Sequence, residues 1–285
     1  MKICRFDENG LGLVREDRIY DATSALDALV SYRYPLPLGD PFIVALPLLR
    51  DKISALADHA PAVPVSAVRL LSPVANPSKI IGAPVNYKKH LDEVTTDPSL
   101  HHQNVAHTRP IQQAGLFLKA TSSLVGASQG VVLRHPDRRT DHEVELAVII
   151  GDRADRVSAK DALKHVAGYC IGLDITVRGP EDRSMRKSID TYSVLGPWLV
   201  TADEIPDPGC LDLSLTVNGE PRQSSNTRNL IMGVAEVIEW ASSFYTLLPG
   251  DVIMTGTPDG VGPIAAGDAL HARMDRMGEM TVHVR

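Results

Sequence analysis

The sequence predicts an α+β protein weighted toward β: a small leading α+β domain, then a strand-rich main domain. Three observations carry this. Short apolar runs bounded by Gly, Pro and Asn recur from Val68 onward. Few segments show helical spacing, and those few are scattered. Strands and helices do not alternate regularly, which argues against a parallel βαβ sheet.

The elements follow in order. The chain opens on a strand from Lys2 to Phe6, a turn at Asn9-Gly10 and a strand over 11–15. Thr23 or Ser24 can cap a helix carrying Leu26, Leu29 and Val30. A second helix over 41–57 carries Val44, Leu48, Ile53 and Leu56. Ala60-Pro-Ala-Val-Pro reads as a linker, so the expected domains are 1–67 and 68–285. Strands are then expected over 79–83, 115–119, 131–134, 143–150, 169–174, 198–201, 211–217, 252–255 and 269–273. Asn218-Gly219 is a hairpin turn signal. Two helices interrupt the strands, one after Ser158 and one over 232–245. The polar stretch 95–113 holds His101, His102 and His107, shows no period, and reads as a loop with solvated histidines.

Composition narrows the function. A chain of 285 residues can bury a core without disulfides or a structural metal. A net charge of -6 with no basic block argues against a nucleic-acid partner. Cys4, Cys170 and Cys210 are odd in number and far apart, unlike a zinc knuckle or disulfide framework. There is no leader-like start and no bilayer-length apolar run, so a cytoplasmic protein with no membrane partner is expected. Neither a phosphate-binding glycine loop nor a G-x-S-x-G elbow is present.

The stretch Asp141-His-Glu-Val-Glu-Leu-Ala-Val-Ile-Ile is the most informative. On a strand, Glu143 and Glu145 share one face with Ala147 and Ile149. Two carboxylates beside a buried strand repel each other and lose hydration, and a bound cation offsets both costs. Gly168-Tyr-Cys-Ile-Gly-Leu-Asp174 is a second apolar strand ending in a carboxylate. Asp174 can complete a three-oxygen set suited to Mg²⁺ or Mn²⁺, with Ca²⁺ a further candidate. The plainer alternatives are solvated glutamates at a strand end and an Asx turn at Asp174.

These residues, with others in the same order, resemble the fumarylacetoacetate hydrolase superfamily. Asn86-Tyr-Lys-Lys-His90-Leu-Asp-Glu93 is similar to its N-Y-x-x-H-x-x-E segment. Phe117-Leu-Lys119, Lys187-Ser-Ile-Asp-Thr191, Leu195-Gly-Pro-Trp198, Asn218-Gly-Glu, Asn226-Thr-Arg228 and Thr255-Gly-Thr-Pro-Asp-Gly-Val-Gly262 resemble later signatures. The likeness spans residues 68–285. It implies a mixed β-roll main domain, a small variable leading domain and a homodimer. Two departures stand out: Leu173 where many relatives carry Asn, and Glu181 where many carry Gln.

The resemblance implies a metal-dependent hydrolase that cleaves a C–C bond in a 2,4-dioxo acid of acylpyruvate or fumarylpyruvate type, as in aromatic catabolism. A 2-oxo acid can chelate one ion through its carboxylate and keto oxygens, and the ion then stabilises a pyruvate enolate. Glu143, Glu145 and Asp174 are the implied ligands. His90, oriented by Glu93, is the implied general base for water. Lys187 is implied to stabilise developing negative charge. Thr255 and Thr257 are expected to hydrogen-bond substrate, and Arg178 to pair with a second substrate carboxylate. Glu181, if it lines the pocket, repels a dianionic tail or, close to Arg178 in sequence, neutralises that guanidinium and weakens its hold on a distal carboxylate; the plainer alternative is that Gly179-Pro180 turns Glu181 to solvent. The alternatives are a 2-oxo acid lyase (decarboxylase, hydratase or isomerase) on the same site, and a non-catalytic binding paralogue.

Overall fold

The computed structural model describes residues 1–102 and 104–285. Its centre is a 12-stranded sheet. Strand Val144–Ile150 lies between Val166–Asp174 and Val252–Met254, antiparallel to both. Val166–Asp174 in turn pairs with Ser193–Thr201. The leading strands Lys2–Phe6, Gly10–Arg15, Arg18–Asp21 and Ala62–Pro64 continue the same sheet outward, Lys2–Phe6 pairing with Ser193–Thr201. Ala62–Pro64 belongs to the stretch expected as a linker; it is a short edge strand instead.

Alternation along Val144–Ile150 serves two cores. Val144, Leu146, Val148 and Ile150 enter one, with Ile171, Leu173 and Val194. Ala147 and Ile149 enter the other, against Phe42, Ile43, Leu46, Leu49 and Ile53 of helix Pro41–His59. That helix is capped by Asp40, whose side chain accepts from the Phe42 and Ile43 amides. Val44 and Leu48, expected in its core stripe, are exposed. The buried stripe runs through Phe42, Leu46, Leu49, Ile53 and Ala57, a 3.6-residue period that leaves Val44 and Leu48 on the far face.

Other expectations shift. The predicted helix at Thr23 or Ser24 is a 3₁₀ turn, Thr23–Ala28, without a side-chain cap. The Thr23 hydroxyl instead accepts from the Leu11 amide. Residues 131–134 form no strand; Val131 makes one isolated bridge to Val284. The polar stretch 95–113 carries helical turns Pro98–His101, Val105–Thr108 and Ile111–Ala114, anchored by buried Leu100, His107 and Ile111. Asn218-Gly219 joins Asp212–Val217 to Glu220–Asn226 with both residues at positive φ, as a type I′ hairpin turn requires. Among the described residues, no helix is long and apolar enough to cross a membrane.

Candidate metal centre and active site

Glu143 immediately precedes strand Val144–Ile150, and Asp174 ends the neighbouring strand. The register places Glu145 opposite Gly172, and the Asp174 amide donates to the Glu143 carbonyl at 2.9 Å. One side-chain oxygen from each of Glu143, Glu145 and Asp174 lies within 4.8 Å of the others, and all three residues are buried.

Cations already balance two of the three. The Lys187 ammonium donates to Glu143 Oε2 at 2.7 Å, to Asp174 Oδ2 at 2.7 Å and to the Thr176 hydroxyl at 2.6 Å. Lys119, wholly buried, donates to Asp174 Oδ1 and to the Tyr192 carbonyl. Arg178 reaches Glu143 at 3.0 Å and Asp141 at 2.7 Å. Burial opposes the charge on Glu143, but Lys187 and Arg178 overcome it and hold the carboxyl below its usual range.

Glu145 is different. Its carboxylate accepts from the Gly256 amide at 2.7 Å, and no basic side chain of the described residues lies in ion-pair range. Burial, then the charge of Asp174, pushes its carboxyl well above the ordinary range. A buried acid without a cation, facing two other carboxylates, fits a divalent ion on an all-oxygen donor set.

Across the pocket, His90 and Glu93 lie on helix Lys88–Thr96, where a spacing of three puts them on one face. His90 Nδ1 meets Glu93 Oε2 at 2.8 Å, and Glu93 Oε1 accepts from the Gly260 amide at 3.0 Å. Gly260 has φ +91, and a Cβ there would lie 2.1 Å from the Arg222 carbonyl oxygen. The T-G-T-P-D-G segment thus clamps the pair.

The pocket is lined by His90, His107, Glu143, Glu145, Asp174, Arg178, Arg183, Arg186, Lys187 and Thr257, among others. Several expectations change here. Thr255 is off this lining; its hydroxyl donates to the Leu146 carbonyl at 3.0 Å. Thr257 lines the pocket, but its hydroxyl donates to the Val144 carbonyl and accepts from Gln223. Both threonines fasten strand Val144–Ile150. Glu181 also lies off the lining and makes a two-point pair with Arg138, at 3.1 and 2.8 Å. It does not neutralise Arg178, whose partners are Asp141 and Glu143. His107, expected in solvent, is buried and lines the pocket.

The residues not anticipated as pocket groups are His107, Arg183 and Arg186, with Asp141 as the buried anchor of Arg178. The spacing of Arg183, Arg186 and Lys187 on one short helix was an available signal.

The model of the fumarylacetoacetate (FAA) hydrolase C-terminal family matches residues 79–285. The chain belongs to the fumarylacetoacetate hydrolase family. It is 58% identical to a maleylpyruvate hydrolase of Aquipseudomonas alcaligenes over 285 residues, covering 100% of this chain and 99% of the relative. It is 37% identical to a mitochondrial oxaloacetate tautomerase of Rattus norvegicus, over 79% of this chain and 72% of that protein. Among solved structures, the maleylpyruvate hydrolase of Sphingobium sp. in complex with manganese(II) ion and pyruvate matches at a TM-score of 0.82 and 38% identity. That match covers 100% of this chain and 98% of the other.

Proposed function

We propose that this protein is a metal-dependent hydrolase that cleaves the C3–C4 bond of a 2,4-dioxo acid of the maleylpyruvate type. The observation that carries the reading is Glu145. It is a buried acid without a cationic side chain, grouped with Glu143 and Asp174. Identity of 58% along the whole chain to a maleylpyruvate hydrolase supports it.

Glu143, Glu145 and Asp174 would hold the ion, Mg²⁺ or Mn²⁺ by donor type, with Ca²⁺ a further candidate. When bound, it supplies Lewis acidity toward the substrate's keto and carboxylate oxygens. His90 then acts on water. Its Nδ1 is held by Glu93, which leaves Nε2 to take the proton while the oxygen adds to C4. The C3–C4 bond breaks, its electron pair stays with the pyruvyl fragment, and His90 returns the proton to C3. The products are a carboxylic acid and pyruvate. Lys187 spends its three donors on Glu143, Asp174 and Thr176. Its ammonium lies beside the carboxylates that would hold the ion, where its charge would face the negative charge developing on the keto oxygen.

Tautomerase relatives favour a lyase- or isomerase-type second reading, but at lower identity and over 79% of the chain. The experiment that separates them follows solvent ¹⁸O with maleylpyruvate as substrate. Hydrolysis places the label in the released acid and yields pyruvate in equal amount; pyruvate-free turnover or CO₂ release without label overturns the hydrolase reading.

The finer assignments belong to the same proposal. Residues 68–285 form the catalytic unit and 1–67 a supporting one, since every pocket residue lies beyond position 82. A homodimer in the cytoplasm is the expected setting, and sedimentation at working concentration tests the dimer.

A further inference from the structure

We propose that Arg186, with Arg183 and His107, forms a subsite for the distal carboxylate of a dicarboxylic acyl group. The inference rests on the hydrolase reading above and adds which residues grip the leaving acid.

Helix Arg183–Lys187 starts at Asp182, whose carboxylate accepts from the Ser184 amide. It brings Arg183, Arg186 and Lys187 to one pocket. Lys187 faces the carboxylate triad. Arg186 faces none of it. It is 3% exposed, and its donors reach the Glu181 carbonyl at 2.8 Å, the Val177 carbonyl at 3.3 Å and His107 Nε2 at 3.4 Å. Among the described residues, no carboxylate lies in ion-pair range of Arg186, whereas its neighbour Arg178 has two. A buried guanidinium that hydrogen-bonds only neutral acceptors, with Glu143 and Glu181 acting on it from outside ion-pair range, leaves charge for a ligand carboxylate to balance. Burial and Arg178 lower its pKa to about 10, so it remains charged at neutral pH.

His107 helps hold that guanidinium. Arg186 can only donate, so Nε2 must accept, and the ring proton of the neutral imidazole sits on Nδ1. Burial and the two arginines hold the ring neutral, with its pKa down at about 4. Nδ1 is buried and makes no hydrogen bond of ordinary geometry, the His101 backbone lying near the ring, in a residue 5% exposed that lines the pocket. Arg183 lines the same region and donates to the His107 carbonyl at 3.2 Å, which ties the helix to the turn carrying the imidazole. A carboxylate here would gain the charge of Arg186, whose guanidinium the Glu181 carbonyl and His107 Nε2 hold in place.

The test is calorimetric titration of metal-loaded protein with maleate and, separately, with pyruvate. Arg186→Met is expected to lower the ratio of maleate to pyruvate affinity on the order of 10–100-fold, the value of hydrogen bonds to a charged group. Arg186→Lys should recover part of it. The ratio of kcat/KM for maleylpyruvate over acetylpyruvate should fall by a similar factor. If Arg186→Met fails to fold, His107→Phe carries the same comparison. A wild-type protein that does not bind maleate, or variants in which both ligands weaken together, would overturn the subsite. Failure of the hydrolase reading shows differently: neither dioxo acid is cleaved by wild type, whatever maleate binding shows.

Discussion

On one wall of the pocket, Glu143, Glu145 and Asp174 are fixed by paired strands whose apolar residues fill two cores. On the other, His90 stands on a nine-residue helix and His107 on a four-residue turn. The first wall is set by backbone pairing and packing. The second is held by a small apolar cluster, Val94, Leu100 and Val261, and by a few polar contacts: Glu93 to Gly260, and Arg186 and Arg183 to His107. The carboxylate set is thus built with the sheet, while His90, the proposed base, depends on individual hydrogen bonds. Single changes on the second wall should therefore alter catalysis while the fold and metal binding persist.

Substitutions on the rigid wall should have the largest effect. Glu145→Ala is expected to abolish metal uptake and lower turnover on the order of 10⁴-fold, the equivalent of several kcal/mol of Lewis-acid stabilisation. Metal analysis of the purified variant, beside its circular dichroism, checks that the loss is local. His90→Ala comes next, with turnover down roughly 10²–10⁴-fold, the usual contribution of a general base. Its Mn²⁺ affinity should match wild type; a parallel loss of metal would erase the distinction between the walls.

Gly260→Ala probes the clamp. The new methyl meets the Arg222 carbonyl and the residue sits at positive φ, so the amide that holds Glu93 must move. Turnover is expected to fall about tenfold, with His90 misoriented rather than removed. Steady-state kinetics should show kcat falling and metal affinity unchanged. Glu181→Gln should be the mildest. Its pair with Arg138 is half-exposed, and such pairs contribute roughly 0–1 kcal/mol. Melting temperature and the diacid-to-monoacid preference should both stay near wild type. A shift in preference would place Glu181 in the pocket after all.

Much of the first wall was legible in the chain because strand alternation is a local property. Glu143, Glu145, Ala147 and Ile149 share a face by period alone, and the apolar run around them marks burial. The second wall was not. His107 sits in a polar stretch without period, and its burial depends on Arg183 and Arg186, residues more than seventy positions later. Glu181 misled for a related reason. Proximity to Arg178 in sequence suggested a pair, yet Glu181 turns to Arg138. Gly179 makes room for that pair: a Cβ there would lie 2.0 Å from the Arg138 side chain. The threonines of the T-G-T segment were read as substrate donors, but the neighbouring Leu146 and Val144 carbonyls claim both hydroxyls.

The Glu143–Glu145–Asp174 set is proposed to bind the divalent ion on which hydrolysis depends. The most direct measurement strips the protein with chelator, then titrates Mn²⁺ back while following bound metal and pyruvate release together. Negligible turnover is expected in stripped protein. Activity should return in proportion to one ion per chain, with no such return in Asp174→Ala. Full turnover by stripped protein, or equal Mn²⁺ uptake by Asp174→Ala, would contradict it.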